Sequence, residues 1–135
     1  MSQNKRLLAL DIGTVRTGVA MCDGVVSIAV PLPAVTMSDS FVEQVQAVVQ
    51  STKAAEIIIG YPRNQSGEPT KQTEYVKKQA QLLKDAGLHV VFQDESLSSV
   101  LAEERLQKQG KPYTKADIDS YAAAIILEDY LEIHS

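Results

Sequence analysis

Hydrophobic positions change their period along this chain, and the changes mark out strands and helices. Leu7-Leu8-Ala9-Leu10 with Ile12 is a short aliphatic run, which predicts a strand buried on both faces with Asp11 near its end. Two further β-type runs, Gly18–Cys22 and Val25–Val30, flank Asp23-Gly24, a pair suited to a type I′ turn. Strands one to three are therefore expected as an antiparallel meander, with Pro31 and Pro33 stopping the third. Phe41, Val45, Val48 and Val49 recur at helical spacing, predicting a helix to about Lys53 that starts at the capping-box spacing of Ser40 and Glu43. Glu56–Gly60 and Leu88–Phe92 read as buried strands parallel to the first, with Asp94 and Glu95 just past the end of the fifth. Between them Thr70 caps a helix that runs to Asp85 and ends at Gly87. A helix over Ser98–Gln109 and a last helix capped by Thr114 complete the order β-β-β-α-β-α-β-α-α. That order predicts an α/β fold, a mixed five-stranded sheet flanked by helices.

Length and composition change this picture little. The 135 residues fit one domain over 1–135, and 44% hydrophobic with 22% charged residues is ordinary for a globular chain. The amino-terminal apolar run is too short for a signal segment, and no other reaches membrane-spanning length, so a cytoplasmic protein without a membrane partner is expected. Cys22 is the sole cysteine, which excludes an internal disulfide and a zinc framework and reads as a small buried side chain. A net charge of −4 argues against bulk electrostatic coating of nucleic acid and leaves a local basic face open.

Candidate chemistry comes from acids in unusual positions. On the last helix, Asp119 shares a face with Ala122, Ala123, Ile126 and Tyr130, whereas Asp117, Glu128 and Glu132 group opposite. An acid on the packed side must meet a cation, a metal or a strong donor set. Asp11 has a plain structural reading, accepting backbone N–H bonds in the turn before Gly13. In a sheet with strand one central and strand five parallel beside it, however, Asp11 and Glu95 are expected at neighbouring strand ends, and a crossing helix can bring Asp119 to the same spot. Three carboxylates at close range repel one another, and a hard divalent cation, Mg²⁺ or Mn²⁺, removes the conflict. Two such ions form an apparatus for in-line hydrolysis of a phosphodiester.

Four segments, in order and spanning nearly the whole chain, resemble the YqgF/RuvX family of Holliday junction resolvases and pre-16S ribosomal RNA nucleases. Ala9-Leu10-Asp11-Ile12-Gly13-Thr14-Val15-Arg16-Thr17-Gly18-Val19-Ala20 is similar to its opening motif, and Ile59-Gly60-Tyr61-Pro62-Arg63-Asn64 with Gly67 to its G-x-P-x-N loop. Asp94-Glu95-Ser96-Leu97-Ser98-Ser99 resembles D-E-R-L-S-T, and Ile118-Asp119-Ser120-Tyr121-Ala122-Ala123 resembles V-D-x-x-A-A. The resemblance implies a ribonuclease H-like nuclease with Asp11, Glu95 and Asp119 as catalytic and metal-binding acids. Ser96 stands where the family usually has arginine, so one phosphate or carboxylate partner is missing.

A track for the substrate is expected along Arg16, Arg63, Asn64 and Lys111, with Arg16 and Arg63 as leading phosphate contacts because arginine grips phosphate oxygens with a planar fork. Arg105, Lys108 and Lys115 lie in the same segment as Lys111, whereas Lys77, Lys78 and Lys84 read as a solvated helix face. The expected activity is metal-dependent cleavage of structured nucleic acid, foremost the 5′ end of pre-16S rRNA, by a monomer or homodimer. Alternatives are a resolvase of branched DNA and a non-catalytic nucleic-acid-binding module of the same fold. Asp11-Ile12-Gly13-Thr14 also resembles the phosphate loop of sugar kinases and actin-like ATPases, but those proteins enclose a nucleotide with two such domains and this chain has room for one.

Overall fold

In the computed structural model, five strands and four helices follow the expected order. It describes residues 5–25, 28–62, 70–95 and 98–134, the side chains of 95, 98 and 99 excepted. The strands are β1 (Leu7–Ile12), β2 (Arg16–Cys22), β3 (Val30–Thr36), β4 (Glu56–Pro62) and β5 (Val90–Glu95). The helices are α1 (Phe41–Thr52), α2 (Lys71–Asp85), α3 (Ser98–Gln109) and α4 (Lys115–Ile133). The sheet order is β3-β2-β1-β4-β5, with β1–β2 and β2–β3 antiparallel and β1–β4 and β4–β5 parallel. Strand β1 is central, so its apolar residues are buried from both sides, as the run Leu7–Leu10 requires, and only Asp11 keeps partial exposure.

Alternation along the strands sorts the two faces. Leu8, Leu10, Ile12, Val19, Ile57 and Ile59 point to one side, where Phe41 and Val45 of α1 and Val76, Ala80 and Leu83 of α2 cover them. Leu7, Ala9, Ala20, Cys22 and Ile58 point to the other, where Ala123, Ala124, Ile126 and Leu127 of α4 lie. Cys22 is buried, as expected of a small core side chain.

Two helix starts follow the sequence closely. Thr70 accepts from the Thr73 backbone N–H, and Thr114 from that of Asp117, each within a reciprocal capping box. At α1, Ser40 is the N-cap but makes no capping bond. Its hydroxyl instead meets Ser38 Oγ at 2.9 Å and accepts from Gln44 Nε2 at 3.1 Å.

Strand β3 departs from expectation. Of the run expected over Val25–Val30, positions 26 and 27 lie outside the described residues; the described strand begins at Val30 and continues through both prolines to Thr36. The cause is position: β3 is the sheet edge, where proline costs no ladder bond on the open side, and β3 carries one extra residue between the pairs Val19↔Leu32 and Thr17↔Val35. Val25 and Ile28 are largely exposed, and the Asp23-Gly24 turn closes locally, with Asp23 Oδ1 accepting from Val25 N at 2.9 Å. Strand β5 is also displaced, to Val90–Glu95, because its ladder with β4 extends to Pro62↔Glu95. Glu95 is therefore the last residue of the strand and not beyond it.

Candidate active site

The α4 side of the sheet carries the candidate chemistry because small residues let the helix approach there. Along β1 and β2 the pairs on this face are Leu7↔Cys22, Ala9↔Ala20 and Asp11↔Gly18. Moving toward the carboxyl end of β1, side chains shrink and then give way to a carboxylate. Helix α4 presents Ala123 and Ala124 to this face, while Ala122 packs with Ala102 of α3. At Gly18 the approach is tightest: a Cβ there would run into the Asp119 carbonyl group and the Ser120 nitrogen. Gly18 thus lies between two acids. Its backbone pairs with Asp11 on one side, and the Asp119 main chain rests on it from above.

Ser120 fixes that seat. Its Oγ donates to the Leu32 carbonyl at 2.6 Å and accepts from Val19 N–H at 3.4 Å, tying α4 to β2 and β3. The turn beneath is fixed as well. Gly13 N donates to Arg16 O at 3.1 Å, and a Cβ at Gly13 would stand 2.7 Å from that oxygen. From the opposite face, Gln72 Nε2 donates to Ile12 O at 3.2 Å.

Asp119 meets its cation from another element. Arg16 Nη1 lies 3.4 Å from Asp119 Oδ2 across 103 positions of sequence, and both side chains keep a little under a third of their surface exposed. Arg16, expected as a phosphate contact, is here the partner that α4 does not supply for itself. Burial pushes the Asp119 carboxyl above its ordinary value, and the Arg16 guanidinium offsets this only in part.

The other expected residues are placed as follows. Asp11 is half-buried on β1 with interactions of its own. Strand five is not beside strand one as expected, because β4 pairs with both and lies between them; the aligned positions Leu10, Ile59 and Phe92 run straight across β1, β4 and β5, so Glu95 sits two strands from Asp11 and two residues farther along. Its side chain lies outside the described residues, as do Arg63, Asn64 and Ser96. Among the described residues no three acidic, histidine or cysteine side chains form a metal-holding group. Lys111 is exposed between α3 and α4. Arg105 is committed to Glu128 at 3.0 Å. His134 stacks on Tyr130, an ordinary structural role. Gly18 and Ser120 were not singled out from the sequence. Ser120 gave a signal, a polar residue among the apolar positions of α4. Gly18 gave none without the register that sets it opposite Asp11.

The RuvX family, described as Holliday junction resolvase, matches residues 5–133. The chain belongs to this family. A "Putative pre-16S rRNA nuclease" of Sulfurihydrogenibium sp. is 35% identical over 94% of this chain and 90% of that protein. One of the same name from Chloroflexus aurantiacus is 39% identical over 93% and 86%. Thermus thermophilus RuvC in complex with Holliday junction substrate superposes with a TM-score of 0.58 at 16% identity, covering 97% of both chains. That likeness gives the RuvX chain its fold, the ribonuclease H-like arrangement. As a RuvX protein the chain is a nuclease, a hydrolase of phosphodiester bonds. The match favours that chemistry over the phosphotransfer reading of Asp11-Ile12-Gly13-Thr14. Among the described residues, no helix is long and apolar enough to cross a membrane.

Proposed function

We propose that the chain is a cytoplasmic, metal-dependent endonuclease of structured RNA that processes the 5′ end of pre-16S rRNA, with Asp11, Glu95 and Asp119 as its catalytic acids. The seat of Asp119 on Gly18, directly across from Asp11, carries the reading. The donor chemistry fits a hard cation: the candidate ligands are carboxylate oxygens, and Asp119 is a carboxylate whose burial leaves its charge short of compensation. From the strand spacings, the Asp11 and Glu95 Cα atoms stand about 12 Å apart, a gap that two acidic side chains and their ion–oxygen bonds can span.

Mg²⁺ or Mn²⁺ held by these acids would supply an activated water and charge stabilisation for the leaving oxygen. The protein's own contribution is rigidity. Asp11 is fixed by a central strand, Asp119 by the Gly18 contact and the Ser120 bonds, and the connecting turn by Gly13 and Gln72. Arg16, Arg63, Asn64 and Lys111 would hold substrate phosphates, the arginines by paired N–H groups. The RNA substrate is that of the named relatives. The family description favours a second substrate, a DNA four-way junction, cut by the same chemistry.

A cleavage assay offering precursor rRNA and a four-way junction side by side in Mg²⁺ tests the reading. Cutting of the rRNA precursor, abolished by Asp11→Asn and by Asp119→Asn, is expected. Undiminished cutting by either variant defeats the site assignment, and cutting of the junction alone replaces the substrate.

A further inference from the structure

We propose that Arg16 is a stand-in cation, a guanidinium that occupies Asp119 while the site is metal-free, competes with the divalent ion for that carboxylate, and becomes available to substrate phosphate once the ion displaces it. The inference rests on the metal-site reading above. It begins from the pair itself: a single contact of 3.4 Å between Arg16 Nη1 and Asp119 Oδ2. Charge-assisted bonds in a committed arginine–carboxylate fork are shorter and paired, at about 2.7–2.9 Å. This one is long, single and reachable by water, so little is lost when it opens.

The anchoring of Arg16 confines any movement to its side chain. Its carbonyl accepts from Gly13 N at 3.1 Å, and its backbone pairs with Thr36 on β3. It is in step with Gly18, Ala20 and Cys22 on the α4 face of β2, so its stem already points at the site. A guanidinium and a divalent ion cannot share Asp119 without strong mutual repulsion, and the ion carries the larger charge. A rotamer change resolves the conflict. Once displaced, the same fork is left beside the acids and can grip a substrate phosphate. The two roles expected for this corner, a partner for Asp119 and a phosphate contact, then belong to one residue in succession.

Calorimetric titration of the full chain with Mn²⁺, without nucleic acid, tests the competition on wild type, Arg16→Gln, Arg16→Lys and Asp119→Asn. Arg16→Gln should bind Mn²⁺ about two- to fivefold more tightly than wild type, the range expected for removing one partly exposed competitor. Arg16→Lys should fall between them, and Asp119→Asn should lose most binding. In parallel, a fluorescent RNA hairpin is titrated in Ca²⁺ and in chelator. Arg16→Gln should weaken hairpin binding in Ca²⁺ and leave it nearly unchanged in chelator, where the wild-type guanidinium is already taken. Equal or weaker Mn²⁺ binding by Arg16→Gln, or the same loss of hairpin binding in both conditions, overturns the stand-in role while leaving the metal site intact. Absence of Mn²⁺ binding to wild type overturns the metal site and this inference together.

Discussion

The two faces of the sheet solve different packing problems. Opposite α1 and α2, the sheet presents Leu8, Leu10, Ile12, Ile57 and Ile59, bulky side chains that fill a deep layer. Opposite α4, near the acids, it presents Ala9, Ala20 and Gly18, and the helix meets this face with Ala123 and Ala124 ahead of the larger Ile126 and Leu127. The first face gains stability from apolar volume. The second gives up volume for closeness, so that a helix main chain can be set against a strand and carry a carboxylate to a fixed point. The lesson is a division of labour, in which one side holds the sheet together and the other side positions the chemistry.

The largest expected effect breaks this comparison from the bulky side. Leu10→Ala should cost about 3–5 kcal/mol in urea unfolding, the usual toll of truncating a fully buried leucine. The fraction that stays folded should cut normally. A variant that instead lost specific activity would show that the two faces are not independent. Next, Gly18→Ala adds a single methyl on the close-approach side and should cost about 2–3 kcal/mol by overpacking, while also lowering cleavage per folded molecule by displacing Asp119. Unchanged activity in a folded Gly18→Ala protein would mean that the close seat does not serve the reaction. Asp11→Asn should reduce cleavage at least about a hundredfold, equivalent to about 2.7 kcal/mol of barrier, with unfolding stability nearly unchanged.

The smallest effect concerns pH. Because burial raises the Asp119 carboxyl above its ordinary 3.8, the folded state holds this proton where the unfolded state has released it. This group's contribution is therefore most favourable below 3.8, falls as pH rises from there through the folded value, and remains a fixed deficit at neutrality. Asp119→Asn removes the deficit, so in chelator it should melt slightly above wild type at pH 7, with the gain shrinking toward pH 3. Added Mg²⁺ should narrow or reverse the difference by stabilising only the wild type. Asp129, also raised by burial and by Glu132 and Glu128, titrates in both proteins and cancels in the comparison.

Much of this architecture was legible in the sequence because local and global preferences agree. The aliphatic runs of β1 and β4, and the capping threonines 70 and 114, each state their element within a few residues. Legibility failed where the deciding fact is a neighbour far along the chain. Proline at 31 and 33 reads as a strand stop until β3 is known to be an edge, and the cation that meets Asp119 cannot be read from α4 because it is Arg16 on β2. The separation of Asp119 from the acids on the opposite helix face could be read from spacing alone, whereas the Gly18 seat needs the strand register.

The prolines of β3 have one more consequence. The outer margin of the sheet is crossed by two residues with no N–H to offer and is bent by an extra residue, so a stray chain finds no continuous row of donors to zip onto. A protein that keeps one flank thin and chemically busy is thereby spared fibrillar stacking along the rim nearest to it.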